Sequence, residues 1–103
     1  DASDSFANVI TDSDRGIVGM AMVTMRKELI SQHPSAHLEA LIVDPALRGL
    51  GIGSALMQHV EAAACSRGAQ SLTLHVFNNN HTARKLYHSR GFDNELIRAI
   101  KWL

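Results

Sequence analysis

The sequence predicts an α+β fold: a mixed, mostly antiparallel sheet with one parallel strand–helix–strand step in its middle. Three observations support this prediction. Apolar residues follow strand-like patterns over residues 6–44. From residue 52 they recur every three or four positions, which is typical of a helix. A strand pattern then returns, and two strands joined through a helix run parallel with a right-handed crossover.

The first half of the chain predicts a hairpin. Residues 6–11 form its first strand, and the turn-forming sequence DSDRG at 12–16 closes it. Residues 17–25 are apolar at both alternate sets of positions, which predicts a second strand covered on both faces. These two strands should pair in the antiparallel direction.

A polar loop and a third strand follow the hairpin. Residues 26–36 are polar and include Pro34, so we predict a mobile loop there. Residues 37–44 form a third strand, which Pro45 ends. Strict alternation along this strand would place one set of side chains on a common face: His37, Glu39, Leu41 and Val43.

The second half predicts two helices and two strands. A helix of about four turns begins at residue 52 and ends before Gly68. Residues 71–77 alternate as a fourth strand. A second helix spans 82–89 with Gly91 as its stop. Residues 96–103 predict a last strand, whose Trp102 packs in the sheet or in a subunit interface.

Composition excludes several classes of partner. Ten basic and ten acidic residues cancel, so charge favours neither nucleic acid nor an anionic membrane. No apolar run reaches the roughly 18 residues of a membrane span. The single Cys65 excludes an internal disulfide and fits the cytoplasm, and the six histidines lack metal-site spacing, so we expect no metal. The length of 103 residues predicts one domain, 1–103.

Three alternate glycines stand between the third strand and the first helix, in the sequence RGLGIGS at 48–54. Unpaired amides and partial positive charge at a helix N-terminus favour an anion such as a pyrophosphate, and Arg48 could add a contact. Alternatively, the glycines simply make a tight turn. Neither the dinucleotide fingerprint nor the Walker loop fits the sequence, and this heptad alone leaves both interpretations open.

Two motifs together resemble those of the GNAT superfamily of acyl-CoA-dependent N-acyltransferases. The first, Arg48-x-x-Gly51-x-Gly53, lies between strand and helix as it does in that superfamily. The second lies after the next strand and reads Asn80-x-x-Ala83-x-x-Leu86-Tyr87-x-x-x-Gly91-Phe92. Their order and placement make the pair more specific than either motif alone, and the similarity covers the chain from about residue 6 to its end.

The resemblance implies a cofactor, acetyl-CoA, and a place for it. The two parallel strands should splay into a V-shaped cleft, with the pantetheine arm paired to the backbone at Ile42 and Val43. Asn80 should cap the second helix or contact the cofactor arm. The pyrophosphate should lie on the loop formed by Arg48, Gly49, Leu50, Gly51, Ile52, Gly53 and Ser54.

Acyl transfer from a thioester to an amine requires a base for the amine, stabilisation of the oxyanion and an acid for the thiolate. Glu39 is the candidate base because a carboxylate on an apolar strand needs a partner or a purpose; otherwise it is simply solvated or salt-bridged. His37 is a weaker alternative base. By resemblance, Tyr87 is the acid, although it could be only a core aromatic. A backbone N–H, with Val43 our choice, would hold the oxyanion.

The predicted function is therefore direct acetyl transfer from acetyl-CoA to an amine, carried by a small molecule or a protein, without a covalent enzyme intermediate. Members of the superfamily usually begin with a further strand and one or two helices, which this sequence lacks. Those helices commonly form much of the acceptor wall. A non-catalytic acyl-CoA-binding sensor or regulatory module is therefore the alternative, and exposed sheet edge predicts a possible homodimer.

Overall fold

The computed structural model describes residues 4–103, which form a four-stranded sheet and two α-helices. In chain order they are β1 (Ser5–Asp12), β2 (Gly16–Lys27), β3 (Pro34–Val43), α1 (Ile52–Ser66), β4 (Ser71–Leu74) and α2 (His81–Ser89). The strands lie side by side in the order β1-β2-β3-β4. The first three are antiparallel and β3 and β4 are parallel, so the predicted mixed fold is confirmed.

The turn between β2 and β3 is much shorter than the loop predicted at 26–36. Both strands extend into that range, and only residues 28–33 remain. The Glu28 carboxylate accepts hydrogen bonds from the amides of Ile30 and Ser31 (2.8 and 2.7 Å). These bonds, with that from the Ser31 hydroxyl, lower the pKa of Glu28. The prediction was wrong because Pro34 can occupy the first position of a strand.

One face of the sheet carries the core. The helix α1 packs there, and its Leu56, Met57 and Val60 are fully buried. Gly19 on β2 permits this approach, since a Cβ at that position would lie 2.8 Å from Ile52 Cγ2. The sheet contributes four buried residues to the same cluster: Ala21, Val23, Ala36 and Leu38.

The opposite face of the sheet, here called the open face, leaves several apolar side chains exposed within residues 4–103. Val9, Met22 and Ile42 remain 51%, 46% and 56% exposed. The prediction that residues 17–25 are covered on both faces is therefore wrong for the described part of the chain. An apolar run shows that a strand is suited to burial on both faces. It does not show that other elements cover the second face.

A β-bulge interrupts β3 at Glu39. Val23 of β2 pairs with Leu38 and Met22 pairs with Ala40, so Glu39 is the extra residue. The bulge shifts the alternation: Ala36 and Leu38 are core residues before it, and Leu41 and Val43 pack against the core after it. His37 consequently lies on the open face, and the predicted common face of His37, Leu41 and Val43 is wrong.

Both predicted helices and their glycine stops are confirmed, with Gly68 and Gly91 at φ +90° and +91°. The predicted strand at 96–103 is wrong, because these residues form no regular structure and Trp102 is 87% exposed. The reason lies in β4, which ends at Leu74 instead of residue 77 and leaves a short edge for pairing. No helix within residues 4–103 is long and apolar enough to cross a bilayer.

Candidate active site

The two parallel strands separate at one end. Their pairing covers only residues 35–38 with 71–74, and β3 then continues to Val43 while β4 has ended. Beyond Leu38, the backbone groups of β3 on this side have no neighbouring strand among the described residues. Ile42 and Val43 lie along this opening, and pairing of a cofactor arm with their peptide groups stays a prediction.

Backbone conformation explains two of the glycines in the loop before α1. Gly49 and Gly51 have φ of +85° and +81°, and a Cβ at either would meet nothing within 4 Å. Such left-handed φ values favour glycine because other L-residues are strained there. A tight turn therefore explains these two glycines without any ligand, so they are not themselves a sign of phosphate binding.

The amides at the start of α1 are nevertheless free to bind an anion. Gly51 occupies the N-cap position without a side-chain cap, and the first amide to bond within the helix is that of Ala55, to the Gly51 carbonyl at 3.0 Å. The amides of Ile52, Gly53 and Ser54 have no acceptor among residues 4–103. Unpaired amides at the positive end of a helix, here one of 15 residues, favour an anion.

Gly53 has a different role, which is close packing of the two helices. A Cβ at this position would lie 3.3 Å from Leu86 Cδ2 of α2 and 4.0 Å from Val43 Cγ2 of β3. The Arg90 guanidinium, just after α2, also donates a hydrogen bond to the Glu61 carboxylate of α1. The two sequence motifs therefore meet in space at the end of β3, beside the strand opening.

Tyr87 lies next to Leu86 on α2 and is partly buried. Its ring packs edge-on against Phe92, with centroids 5.8 Å apart, and burial raises the pKa of the phenol. The hydroxyl has no hydrogen-bond partner among residues 4–103. It therefore stays protonated at neutral pH with its proton uncommitted. With Leu74 and Val76 it borders an open cavity of about 270 Å³, which the glycine loop does not reach.

Asn80 is the N-cap of α2, as predicted. Its Oδ1 accepts a hydrogen bond from the Ala83 amide at 3.2 Å. This bond fixes the start of the helix that carries Leu86 and Tyr87. Contact between Asn80 and a cofactor arm stays a prediction.

Glu39 and Arg48 are both exposed. Neither side chain forms a hydrogen bond or ion pair with the described residues. Glu39 occupies the bulge, one residue beyond the point where the strands separate. Its place at the opening suits the predicted base, but its solvation equally fits the structural alternative, so its role stays a prediction.

Sequence reasoning missed a histidine pair at the closed end of the opening. His37 is 5% exposed, and its ring centroid lies 4.8 Å from that of His75, the residue after β4. Its Nδ1 is 2.7 Å from the Thr73 hydroxyl, and burial is the main reason that its pKa is lowered. The signal was present, because Thr73 and His75 alternate with Leu72 and Leu74 on the fourth strand.

A family model described as "Acetyltransferase (GNAT) family" matches residues 1–92. The chain belongs to this family. A GNAT relative from Bacillus subtilis (strain 168), "Uncharacterized N-acetyltransferase YycN", is 38% identical over 84 residues, which are 78% of this chain and 50% of that protein. A second from the same organism, YdgE, is 40% identical over 58 residues, 56% of this chain and 37% of the relative. The chain thus spans half or less of these relatives.

Solved structures place the chain in the same GNAT fold. A putative acetyl transferase from Pyrococcus furiosus matches with a TM-score of 0.90 and 27% identity over 96% of this chain and 66% of that one. Glucosamine-6-phosphate N-acetyltransferase from Arabidopsis thaliana matches with a TM-score of 0.79, covering 96% of this chain and 67% of the other. At 22% identity the latter shows the fold alone.

Proposed function

We propose that the protein containing this chain transfers an acetyl group from acetyl-CoA to a primary amine, directly, within a complex of enzyme and both substrates. The observation that carries the proposal is the meeting of the two motifs. Gly53 brings α2 against the start of α1, so unpaired amides, the strand opening and Tyr87 occupy neighbouring elements.

The cofactor would use this arrangement in three places. The amides of Ile52, Gly53 and Ser54 would hold the pyrophosphate, with Arg48, Gly49, Leu50 and Gly51 forming the rest of the loop. The unpaired edge of β3 at Ile42 and Val43 would accept the peptide-like pantetheine arm as an added strand. The thioester would then lie at the closed end of the opening.

The reaction forms a C–N bond and breaks a C–S bond. The amine nitrogen attacks the thioester carbon, and a backbone N–H of β3, for which Val43 is our candidate, stabilises the oxyanion. A base, Glu39 in the simplest scheme, removes the amine proton. As the carbonyl reforms, the electron pair of the C–S bond leaves with sulfur, which takes the Tyr87 proton.

The acceptor would be an amine on a small molecule or a protein. We place the protein in the cytoplasm because its one cysteine, Cys65, is free and exposed. Association into a homodimer would cover apolar surface on the open face, where Val9, Met22 and Ile42 are exposed.

Two measurements on the full-length protein test this function. Coenzyme A should stabilise the protein against unfolding by about 2.7 kcal/mol at a hundredfold excess over Kd. Acetyl-CoA with a panel of amines should then release free thiol. Stabilisation without turnover on any amine would instead support the alternative, a non-catalytic acyl-CoA-binding module. No stabilisation would contradict both.

Replacing Tyr87 with Phe tests the acid. The phenol has no hydrogen-bond partner among residues 4–103, so Tyr87→Phe should keep the stability and coenzyme A binding of the wild type. Thiol release should fall by roughly 100-fold, the lower end of the usual effect of general acid catalysis. Undiminished turnover would remove Tyr87 as the acid and leave it a core aromatic against Phe92.

A further inference from the structure

The closed end of the strand opening holds two imidazoles from different strands. His37 comes from β3 and His75 follows β4, and their rings meet at an interplanar angle of 59°. His37 lies between two residues of the core, Ala36 and Leu38, and so its side chain is on the open face. His75 contacts it there and is exposed. The pair therefore lies on the open face, at the point where the two parallel strands separate.

The Thr73 hydroxyl holds one edge of the His37 ring. The Thr73 hydroxyl lies 3.5 Å from the Ala36 carbonyl oxygen, which can only accept a hydrogen bond. The hydroxyl oxygen lies much closer to Nδ1 of His37, at 2.7 Å, and this short bond orients the ring. The other ring nitrogen, Nε2, has no hydrogen-bond partner among the described residues.

The two rings differ in their contact with water. Burial lowers the pKa of His37, and Arg26 of β2 and His75 lower it further, while Glu39 opposes them. His37 is therefore neutral at pH 7, and water cannot readily solvate a charge on it. The His75 ring is exposed, so water and a substrate can reach its nitrogens.

The geometry points to His75 as a proton acceptor in the transfer reaction, with His37 positioning its ring; the inference rests on the proposed acetyl transfer. As the C–N bond forms, the amine proton passes to a ring nitrogen of His75, directly or through one water. Sulfur takes the Tyr87 proton when the C–S bond breaks. His75 then releases its proton to water, and Tyr87 regains one from water, so the enzyme returns to its starting state.

Two alternatives fit this end of the opening less well than His75 as proton acceptor: Glu39 as the base, and a metal ion bound by the histidines. Glu39 lies on the bulge of β3 without a hydrogen-bond partner for its carboxylate, whereas the His75 ring packs against His37, whose Nδ1 is bonded to Thr73. A metal site would need further ligands, but no group of three or more His, Cys, Asp or Glu side chains within residues 4–103 has the required geometry.

The test uses His75→Ala and His75→Gln in the full-length protein, with His59→Ala as the matched control. His59 is equally exposed but lies on α1. Both His75 variants should keep coenzyme A stabilisation and lose roughly 100-fold or more in kcat. The rise of kcat/KM with pH should flatten in them, and added imidazole should restore part of the His75→Ala rate. The control should match the wild type.

The outcomes separate this inference from the proposed function. Wild-type turnover with an unchanged rate and pH profile in His75→Ala would overturn the role of His75 and leave acetyl transfer intact. Loss of the pH dependence of kcat/KM in Glu39→Gln, but not in the His75 variants, would also overturn the role of His75 and leave acetyl transfer intact. Binding of coenzyme A without turnover by the wild type on any amine would overturn both.

Discussion

The three glycines before α1 illustrate how one residue type serves different physical needs. Gly49 and Gly51 are required by left-handed backbone, and Gly53 by the 3.3 Å approach of Leu86. From the heptad alone, the sequence left two reasons open, clearance for a phosphate and a tight turn. The turn also leaves the first amides of α1 unpaired, and these amides, not the glycines themselves, are the feature that suits an anion. Glycines of one motif can thus have different physical origins, and pyrophosphate binding at this loop stays a prediction.

His37 should make stability depend on pH. Its pKa in the folded protein is lowered from 6.5 by burial, so between the lowered value and 6.5 the unfolded chain binds more protons. The free energy of unfolding should therefore be largest above pH 6.5 and fall as pH drops below it, until the folded protein also takes up the proton. Urea unfolding from pH 7.5 to 5.0 measures this directly.

His37→Gln should reduce that pH dependence, since a glutamine has no proton to bind in this range. His59→Gln, an exposed site on α1, is the control and should keep the wild-type slope. An unchanged slope in His37→Gln would show that burial of His37 does not control acid sensitivity.

At the scale of elements, local signals predicted the helices well. Periodicity identified α1 and α2, and Gly68 and Gly91 gave their ends, because these features depend on residues close in sequence. The bulge at Glu39 was not predictable in this way. The bulge is defined by the pairing of Met22 on β2 with Ala40 on β3. The residue pattern of a single strand does not contain this information.

The cap of α2 is a second element-scale prediction. This helix has nine residues and depends on its terminal bonds more than a long helix does. Asn80→Ala removes the bond to the Ala83 amide and should lower the free energy of unfolding by about 1 kcal/mol. Thiol release should fall as well, because α2 carries Tyr87.

Asn80→Asp keeps an oxygen at the same position and should retain most of the stability. Asn79→Ala is the matched control, because the Asn79 side chain makes no hydrogen bond within residues 4–103. Equal loss in both alanine variants would contradict a specific role for the cap.

For the whole molecule, the sequence predicted the sheet, its parallel step and the family, but not which surfaces are covered. The apolar run at 17–25 predicted two covered faces, and residues 96–103 predicted a further strand. Coverage of a sheet face and pairing of a further strand both depend on partners that are distant in the chain or outside it. The histidine pair was missed for the same reason, since His37 and His75 are brought together only by the parallel pairing of β3 with β4.

The open face leads to a prediction for the 103-residue chain expressed alone. Val9 on β1 and Met22 on β2 leave about half of their surface exposed, and Ile42 on β3 adjoins them. Exposed apolar patches of this kind favour association. Sedimentation should therefore detect self-association that increases with concentration. Met22→Lys should shift the chain towards monomer, whereas Gln58→Lys, which adds the same charge to the exposed side of α1, should not. A wild-type chain that stays monomeric at every concentration would contradict association through this face.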